Sequence, residues 1–163
     1  MIRLQTSLGD IVLEMNHEHT PKTAENFEQY VKDGFYDGLI FHRVIKNFMI
    51  QGGGFDESMQ QKTSRDNIKN EAATGGSNAR GTIAMARTPD PHSASSQFFI
   101  NVKDNDFLNY RDASPNGFGY CVFGKVIEGM DIVDKIEHVA TGSRAGHQDV
   151  PLEAVKIIKA TLE

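Results

Sequence analysis

Short apolar segments separated by glycine and asparagine limit the fold of this chain more than any other feature of its sequence. Two runs of alternating apolar and polar residues flank a turn at residues 8–10. Further apolar segments lie near 39–45, 48–51, 81–86, 97–102, 120–127 and 154–162. Because successive side chains of a strand point to opposite faces, such runs are typical of strands with one buried face. We therefore predict a protein built mainly from short β-strands.

Only two segments have a helical pattern. The first begins with Thr20 as a candidate cap and Pro21 at the first helical position, and it ends at Gly34, which suits a left-handed exit. Its apolar residues share one face: Ala24, Phe27, Tyr30 and Val31. The second pattern covers 128–137. Many short strands with two helices predict a predominantly antiparallel sheet, closed as a barrel or folded as a sandwich.

Composition excludes several classes of protein. Apolar residues make up 39% and charged residues 24%, and no apolar run approaches the roughly 20 residues of a membrane-spanning helix. The net charge is −5 and no dense basic cluster is present, which argues against nucleic-acid binding. Cys121 is the single cysteine, so no internal disulfide can form, as is usual in a reducing compartment.

These features predict one domain over residues 1–163, located in the cytoplasm and without membrane contact. No apolar stripe remains after the core has been assigned, so we expect a monomer. The segments 56–80 and 103–119 are long and polar for loops of a compact domain. The second contains Phe107, Leu108 and Tyr110, which favours an ordered loop that contributes to a site.

The stretch FHRVIKNFMIQGGGF, residues 41–55, places a single arginine among apolar residues and includes no acid. Two interpretations of Arg43 are open on this pattern. Its charge is neutralised by a distant acid, or its planar donors stand at the mouth of an apolar pocket and bind a ligand. If 39–45 is a strand, Phe41 and Arg43 share one face. His42 then faces away from Arg43 and is expected to be a hydrogen-bonded interior histidine.

Three other kinds of site are disfavoured by spacing. The glycines at 52–54 lack the Gly-Lys-Ser/Thr continuation and the helix of a phosphate-binding loop. Ser96 and His92 would be the candidates for a hydrolase, but no Gly-x-Ser-x-Gly motif surrounds them. The histidines lack the His-Glu-x-x-His spacing or any other close ligand set, so they are expected to be solvated loop residues.

Three motifs together resemble a known family. FHRVIKNFMIQGGGF, then SSQFFIN, then YCVFGKV closely resemble the cyclophilins, the cyclosporin-binding class of peptidyl-prolyl isomerases. The resemblance runs over nearly the whole chain, and the IKNEA and HQDVP segments look most like the compact bacterial cytoplasmic members. It implies a closed eight-stranded antiparallel β-barrel capped by two α-helices, with no cofactor and no metal.

The resemblance also implies roles for individual residues. Arg43 would be the catalytic arginine, and Gln51 would orient Arg43 and a substrate carbonyl. Ala86 and Arg87 would present backbone to the peptide, supported from the side by Gln97. The remaining expected substrate-binding residues, most of which would line a proline pocket, are Phe48, Met49, Phe99, Phe107, Leu108 and Tyr120.

Two of these residues differ from the better-known eukaryotic members. Phe107 stands where those members carry tryptophan, so the indole N–H donor is lost and cyclosporin should bind less tightly. Tyr120 stands where many carry histidine, which keeps an aromatic wall. The segment between Met85 and Ser96 is one residue longer than usual, so Arg87 is matched less directly than Arg43.

The resemblance implies an isomerase that acts on X–Pro bonds of peptides and of unfolded or folded proteins, and so assists protein folding. A non-catalytic module that holds proline-containing segments, as a chaperone or scaffold would, remains the alternative. Arg43 and Gln51 are both present, which favours catalysis, because a pure binding module could discard them.

Overall fold

The computed structural model describes residues 1–163, and a single eight-stranded sheet dominates it. The strands of this sheet are β1 (Ile2–Thr6), β2 (Gly9–Met15), β3 (Arg43–Ile45), β4 (Met49–Gly52), β5 (Thr82–Met85), β6 (Phe98–Asn101), β7 (Val122–Glu128) and β10 (Ile157–Leu162). They are ordered β10-β1-β2-β7-β5-β6-β4-β3, and each neighbouring pair is antiparallel. The predicted antiparallel sheet of short strands is confirmed.

The predicted closure of the barrel is wrong. No ladder joins β10 to β3, the two edges of the sheet. The segment before β3 bridges the two edges: the Phe41 N–H donates to the Val155 carbonyl at 2.9 Å, and the N–H of Ile157, the first residue of β10, donates to the Leu39 carbonyl at 2.8 Å. Since β3 has only three residues, the sheet stays an open half-barrel bridged by irregular chain.

Two helices cover the sheet, as predicted: α1 (Pro21–Lys32) and α2 (Met130–Glu137). Gly34 leaves α1 with φ of +69°, the left-handed exit that the sequence indicates. The expected Thr20 side-chain cap is wrong, because the Thr20 hydroxyl donates to the Asn16 carbonyl. The Glu71 carboxylate caps α1 instead and accepts from the Thr23 N–H at 2.7 Å. No helix is long and apolar enough to span a bilayer.

The sequence pattern missed a second, two-stranded sheet. Its strands β8 (Thr141–Arg144) and β9 (His147–Pro151) form a hairpin that turns at Ala145 and Gly146, both with positive φ. All of β8 and the first half of β9 lie near the surface, so the hairpin lacks the apolar alternation that identifies a half-buried strand. The predicted ordered loop at 103–119 is confirmed, and it contains the short 3₁₀ helix η1 (Asp106–Leu108).

The two faces of the sheet have different roles. One face builds the main core with α1, where Phe27 packs against Tyr36, Phe98 and Phe123 at ring distances of 5.1 to 5.4 Å. The other face carries a smaller apolar cluster that includes Phe99. Phe98 and Phe99 thus belong to different clusters because neighbouring strand residues point in opposite directions.

Candidate active site

A cavity of about 130 Å³ lies on the face of the sheet away from the main core. It combines a guanidinium and an amide at one side with apolar walls. The lining residues are Arg43, Phe48, Met49, Gln51, Ala86, Arg87, Phe99, Leu108 and Tyr120. Every one of them belongs to the set expected from the sequence. The two other expected residues, Gln97 and Phe107, lie beside the cavity.

Strand register brings the polar side and the floor of the cavity together. Arg43 on β3 is paired with Gln51 on β4, and Gln51 is paired with Phe99 on β6. Directly paired residues of neighbouring strands project to the same face. Residues that are far apart in the sequence therefore form one row across the sheet.

A chain of hydrogen bonds runs along the polar side. Arg43 Nη1 donates to Gln51 Oε1 at 3.4 Å, and Gln51 Nε2 donates to Gln97 Oε1 at 3.1 Å. Gly54 makes room for this chain, because a Cβ atom there would lie 2.6 Å from the Gln97 side chain. The glycine run thus serves close packing, and no phosphate-binding loop is present at this position.

Arg43 is exposed and forms no ion pair with any acid of the chain. Of the two interpretations left open by the sequence, the distant salt bridge is wrong. The guanidinium keeps most of its N–H donors free beside the cavity, since its one bond goes to Gln51. Phe41 lies in the main core with Val44, so the expected common face of Phe41 and Arg43 is also wrong; β3 begins only at Arg43.

The apolar walls come from both strands and loops. Met49 and Phe99 are almost fully buried strand residues, whereas Leu108 ends η1 and Tyr120 precedes β7. The Phe99 and Tyr120 rings meet edge to face at 5.7 Å. Phe107 is 69% exposed and stacks on Phe48 at 5.7 Å, so it stands at the rim.

Arg87 uses its side chain for structure. Its Nε donates to the Gly119 carbonyl at 3.0 Å, and its guanidinium carbon lies 4.6 Å from the centre of the Tyr120 ring. The Arg87 N–H and the Ala86 carbonyl have no hydrogen-bond partner within the chain. Both groups are therefore available to the backbone of a bound peptide, which is the role that the resemblance implies for Ala86 and Arg87.

A second depression of about 200 Å³ adjoins the cavity. Arg87, Ala86 and Gln51 belong to both, and Gln97 lies on its wall together with four further polar residues: Gln61, Thr88, Ser93 and Ser95. No motif in the sequence marks these four as part of a binding site, because they are polar residues outside the strands and helices. A larger depression of about 540 Å³ near Glu14 and Lys125 is lined by 12 residues of which only three are apolar, so it lacks such apolar walls.

His42 lies behind the site and is only partly as expected. Its side chain is buried and its ring lies tilted against the Phe55 ring, with 4.5 Å between the ring centres, but Nδ1 has no hydrogen-bond partner. The predicted hydrogen-bonded histidine is therefore wrong at this atom. Burial, and to a smaller extent the nearby charges of His147 and Arg43, lower the pKa of His42 to about 4.

The hydrolase candidates are engaged in structural hydrogen bonds. The Ser96 hydroxyl donates to the Gly53 carbonyl at 2.9 Å, and His92 Nδ1 accepts from the Asn70 N–H at 3.0 Å. No hydrogen bond joins these two side chains, which a nucleophile and its base require.

Comparison with known proteins agrees with this geometry. The family model described as cyclophilin type peptidyl-prolyl cis-trans isomerase matches residues 1–162. Peptidyl-prolyl cis-trans isomerase cyp18 of Streptomyces antibioticus is 60% identical over 99% of this chain and 97% of its own length. Peptidyl-prolyl cis-trans isomerase B of Escherichia coli strain K12 is 56% identical over 99% of both chains.

The fold has solved counterparts. A cyclophilin type peptidyl-prolyl cis-trans isomerase of Cryptosporidium parvum, crystallised in the presence of the dipeptide Ala-Pro, superposes with a TM-score of 0.82 at 27% identity. The match covers 99% of this chain and 98% of that protein. Fold, site geometry and sequence identity agree, and the chain belongs to the cyclophilin-type peptidyl-prolyl cis-trans isomerases.

Proposed function

We propose that the 130 Å³ cavity holds the proline ring of an X–Pro segment and that Arg43 catalyses rotation of the bond before it. One observation carries this proposal: a guanidinium without an acidic partner stands at the edge of an apolar cavity, held by Gln51. A proline ring bound between the apolar walls would displace water from the side of the cavity that Arg43 faces, so the donor would compete less with bulk solvent for its acceptor.

The chemistry explains the need for a donor. Nitrogen shares its lone pair with the carbonyl, and the resulting barrier to rotation is about 18–20 kcal/mol. In the twisted transition state this conjugation is lost, and the prolyl nitrogen becomes pyramidal and basic. A donor aimed at that nitrogen binds the transition state more tightly than either ground state, and this difference accelerates rotation. No covalent bond is made or broken, so no nucleophile is needed.

The neighbouring residues have separate roles in this proposal. Gln51 keeps the Arg43 fork directed at the cavity and offers its amide to a substrate carbonyl, while Gln97 fixes the Gln51 amide. The free Ala86 carbonyl and Arg87 N–H pair with the peptide backbone. The walls formed by Phe48, Met49, Phe99, Leu108 and Tyr120 hold the ring while the amide turns, and Phe107 extends the rim.

We propose that residues 1–163 act as one monomeric domain in the cytoplasm on proline-containing peptides and protein clients, which assists protein folding. The sheet supports one domain, because it joins β1 to β10. Cyclosporin should bind weakly, since the rim residue Phe107 offers no indole donor.

The experiment compares the chain with Arg43→Ala and Arg43→Lys on a proline tetrapeptide, with circular dichroism as a check on folding. Removing one preorganised donor typically costs about 10²–10³ in rate, so Arg43→Ala should lose most of its kcat and keep its fold. Lysine retains the charge but not the planar fork, so Arg43→Lys should recover only part of the loss. A folded Arg43→Ala protein with the kcat of the parent chain would contradict the proposal. Peptide binding without any acceleration by the parent chain would indicate a recognition module.

A further inference from the structure

Three buried asparagines lie directly behind the walls of the cavity. Asn78 and Asn101 are completely buried and Asn105 is 1% exposed. Asn101 ends β6 on the same face as Phe99, two residues earlier, and it is paired across the sheet with Met49. Asn78 lies in the loop before β5, and Asn105 comes directly before η1. The fold therefore brings three amides from separate segments together under the site.

The three amides form a continuous chain of hydrogen bonds. Asn105 Nδ2 donates to Asn101 Oδ1 at 2.8 Å, and Asn101 Nδ2 donates to Asn78 Oδ1 at 3.1 Å. An amide both donates and accepts, which is what a chain of this kind requires. In a buried environment such linked bonds strengthen one another, and an unpaired member is costly.

Both ends of the chain reach the walls of the cavity. At one end Asn105 Nδ2 donates to the Phe48 carbonyl at 2.9 Å. At the other end Asn78 Nδ2 donates to the Leu108 carbonyl at 3.2 Å and to the Tyr120 carbonyl at 3.3 Å. Phe48 and Tyr120 lie outside the strands and Leu108 ends η1, so no strand ladder fixes these three residues. Two backbone bonds tie them to their surroundings, from the Tyr120 N–H to the Leu108 carbonyl at 2.9 Å and from the Val102 N–H to the Phe48 carbonyl at 3.1 Å. The side-chain amides add further hydrogen bonds to the carbonyls of the three wall residues.

We infer that Asn78, Asn101 and Asn105 are positioning residues that hold the Phe48, Leu108 and Tyr120 walls at the spacing of a proline ring. They touch neither the cavity nor Arg43. The row Arg43–Gln51–Phe99 is fixed independently by strand pairing. Loss of the asparagine chain should therefore weaken the binding of proline and leave the Arg43 guanidinium in place. This inference rests on the proposed use of the cavity.

The test uses Asn101→Ala and Asn105→Ala, with Thr82→Val as the matched control. The Thr82 hydroxyl accepts the other Asn101 N–H at 2.9 Å, on a branch that leads away from the walls. The Asn101 and Asn105 variants should raise both KM and the Kd of a proline tetrapeptide about three- to tenfold, the factor expected for one net hydrogen bond. Their kcat should stay within about twofold of the parent value.

The control distinguishes positioning from stability. Thr82→Val should lower the urea midpoint but leave KM and Kd unchanged. The chain has four tyrosines, so 3-fluorotyrosine labelling gives few ¹⁹F signals. The signal of Tyr120, assigned by Tyr120→Phe, should shift in the asparagine variants and not in the control.

Unchanged KM and Kd in folded Asn101→Ala and Asn105→Ala proteins would overturn the inference, and so would a loss confined to kcat. If Asn101→Ala does not fold, the KM and Kd of Asn105→Ala test the inference, because this variant breaks only the end of the hydrogen-bond chain next to Phe48. The Kd is measured without turnover. A parent chain that binds the peptide but does not accelerate exchange would therefore contradict the proposed function while the positioning role is still tested.

Discussion

The buried His42 makes a quantitative prediction about stability and pH. The residue is 5% exposed, its Nδ1 has no hydrogen-bond partner, and its pKa in the folded protein is lowered to about 4 by burial and to a smaller extent by His147 and Arg43. In the unfolded chain histidine titrates near 6.5. Between these two pKa values His42 is protonated in the unfolded state and neutral in the folded state. The free energy of unfolding therefore falls as the pH is lowered from about 7 towards 4.

The magnitude follows from the two pKa values. At pH 5 the unfolded histidine is almost fully protonated and the folded one is mostly neutral, which destabilises the folded state by about 2 kcal/mol relative to pH 8. The loss from this group levels off once the pH lies about one unit below the pKa of the folded state. The same linkage predicts almost no contribution of His42 above pH 7.5.

The assay is urea unfolding of the parent chain and His42→Leu at pH 8 and at pH 5, followed by circular dichroism. Leucine removes the titrating ring and keeps an apolar group against Phe55. The parent should lose about 2 kcal/mol more than His42→Leu between the two pH values. His17→Leu is the control, because His17 lies on the surface beside Glu28. Equal pH dependence in the parent and in His42→Leu would refute the reasoning.

Two further predictions concern the helix cap and the rim. Glu71→Ala should lower the free energy of unfolding, measured with urea, by about 1–2 kcal/mol, because the Glu71 carboxylate caps α1 at the Thr23 N–H. Glu71→Gln keeps an acceptor and should lose less. Equal stability of the parent and both variants would contradict the capping role of Glu71. Phe107→Trp should tighten cyclosporin binding about tenfold in calorimetry, because it restores an indole donor at the rim; unchanged affinity would contradict that role of Phe107, with Phe107→Leu as control.

The apolar face of α1 is predicted from the sequence, since its 3.6-residue period shows directly in the residues. The site residues Met49, Gln51 and Phe99 are expected only from the resemblance to the family, because FMIQ and QFFIN do not alternate between apolar and polar residues. Strand pairing, which the structure shows, places all three on the face opposite the main core.

Features that depend on distant segments were not predicted. Glu71 caps a helix that begins 50 positions earlier, and the asparagine chain joins Asn78 to the stretch 101–105. In the sequence an asparagine such as Asn101 indicates only the end of a strand or a turn, and its hydrogen-bond partners are visible only in the packed fold. The prediction of a closed barrel was wrong for a similar reason, because strand patterns do not reveal whether the two edge strands pair.

The central claim is that Arg43 acts on the transition state of prolyl rotation. The most direct test is exchange NMR on a proline tetrapeptide, which measures the cis–trans rate in the bound state for the parent chain and for Arg43→Ala at matched occupancy. We predict rapid exchange on the parent chain and a rate about 10²–10³ lower on a folded, peptide-binding Arg43→Ala protein. Equal bound-state exchange rates in the two proteins would contradict the account.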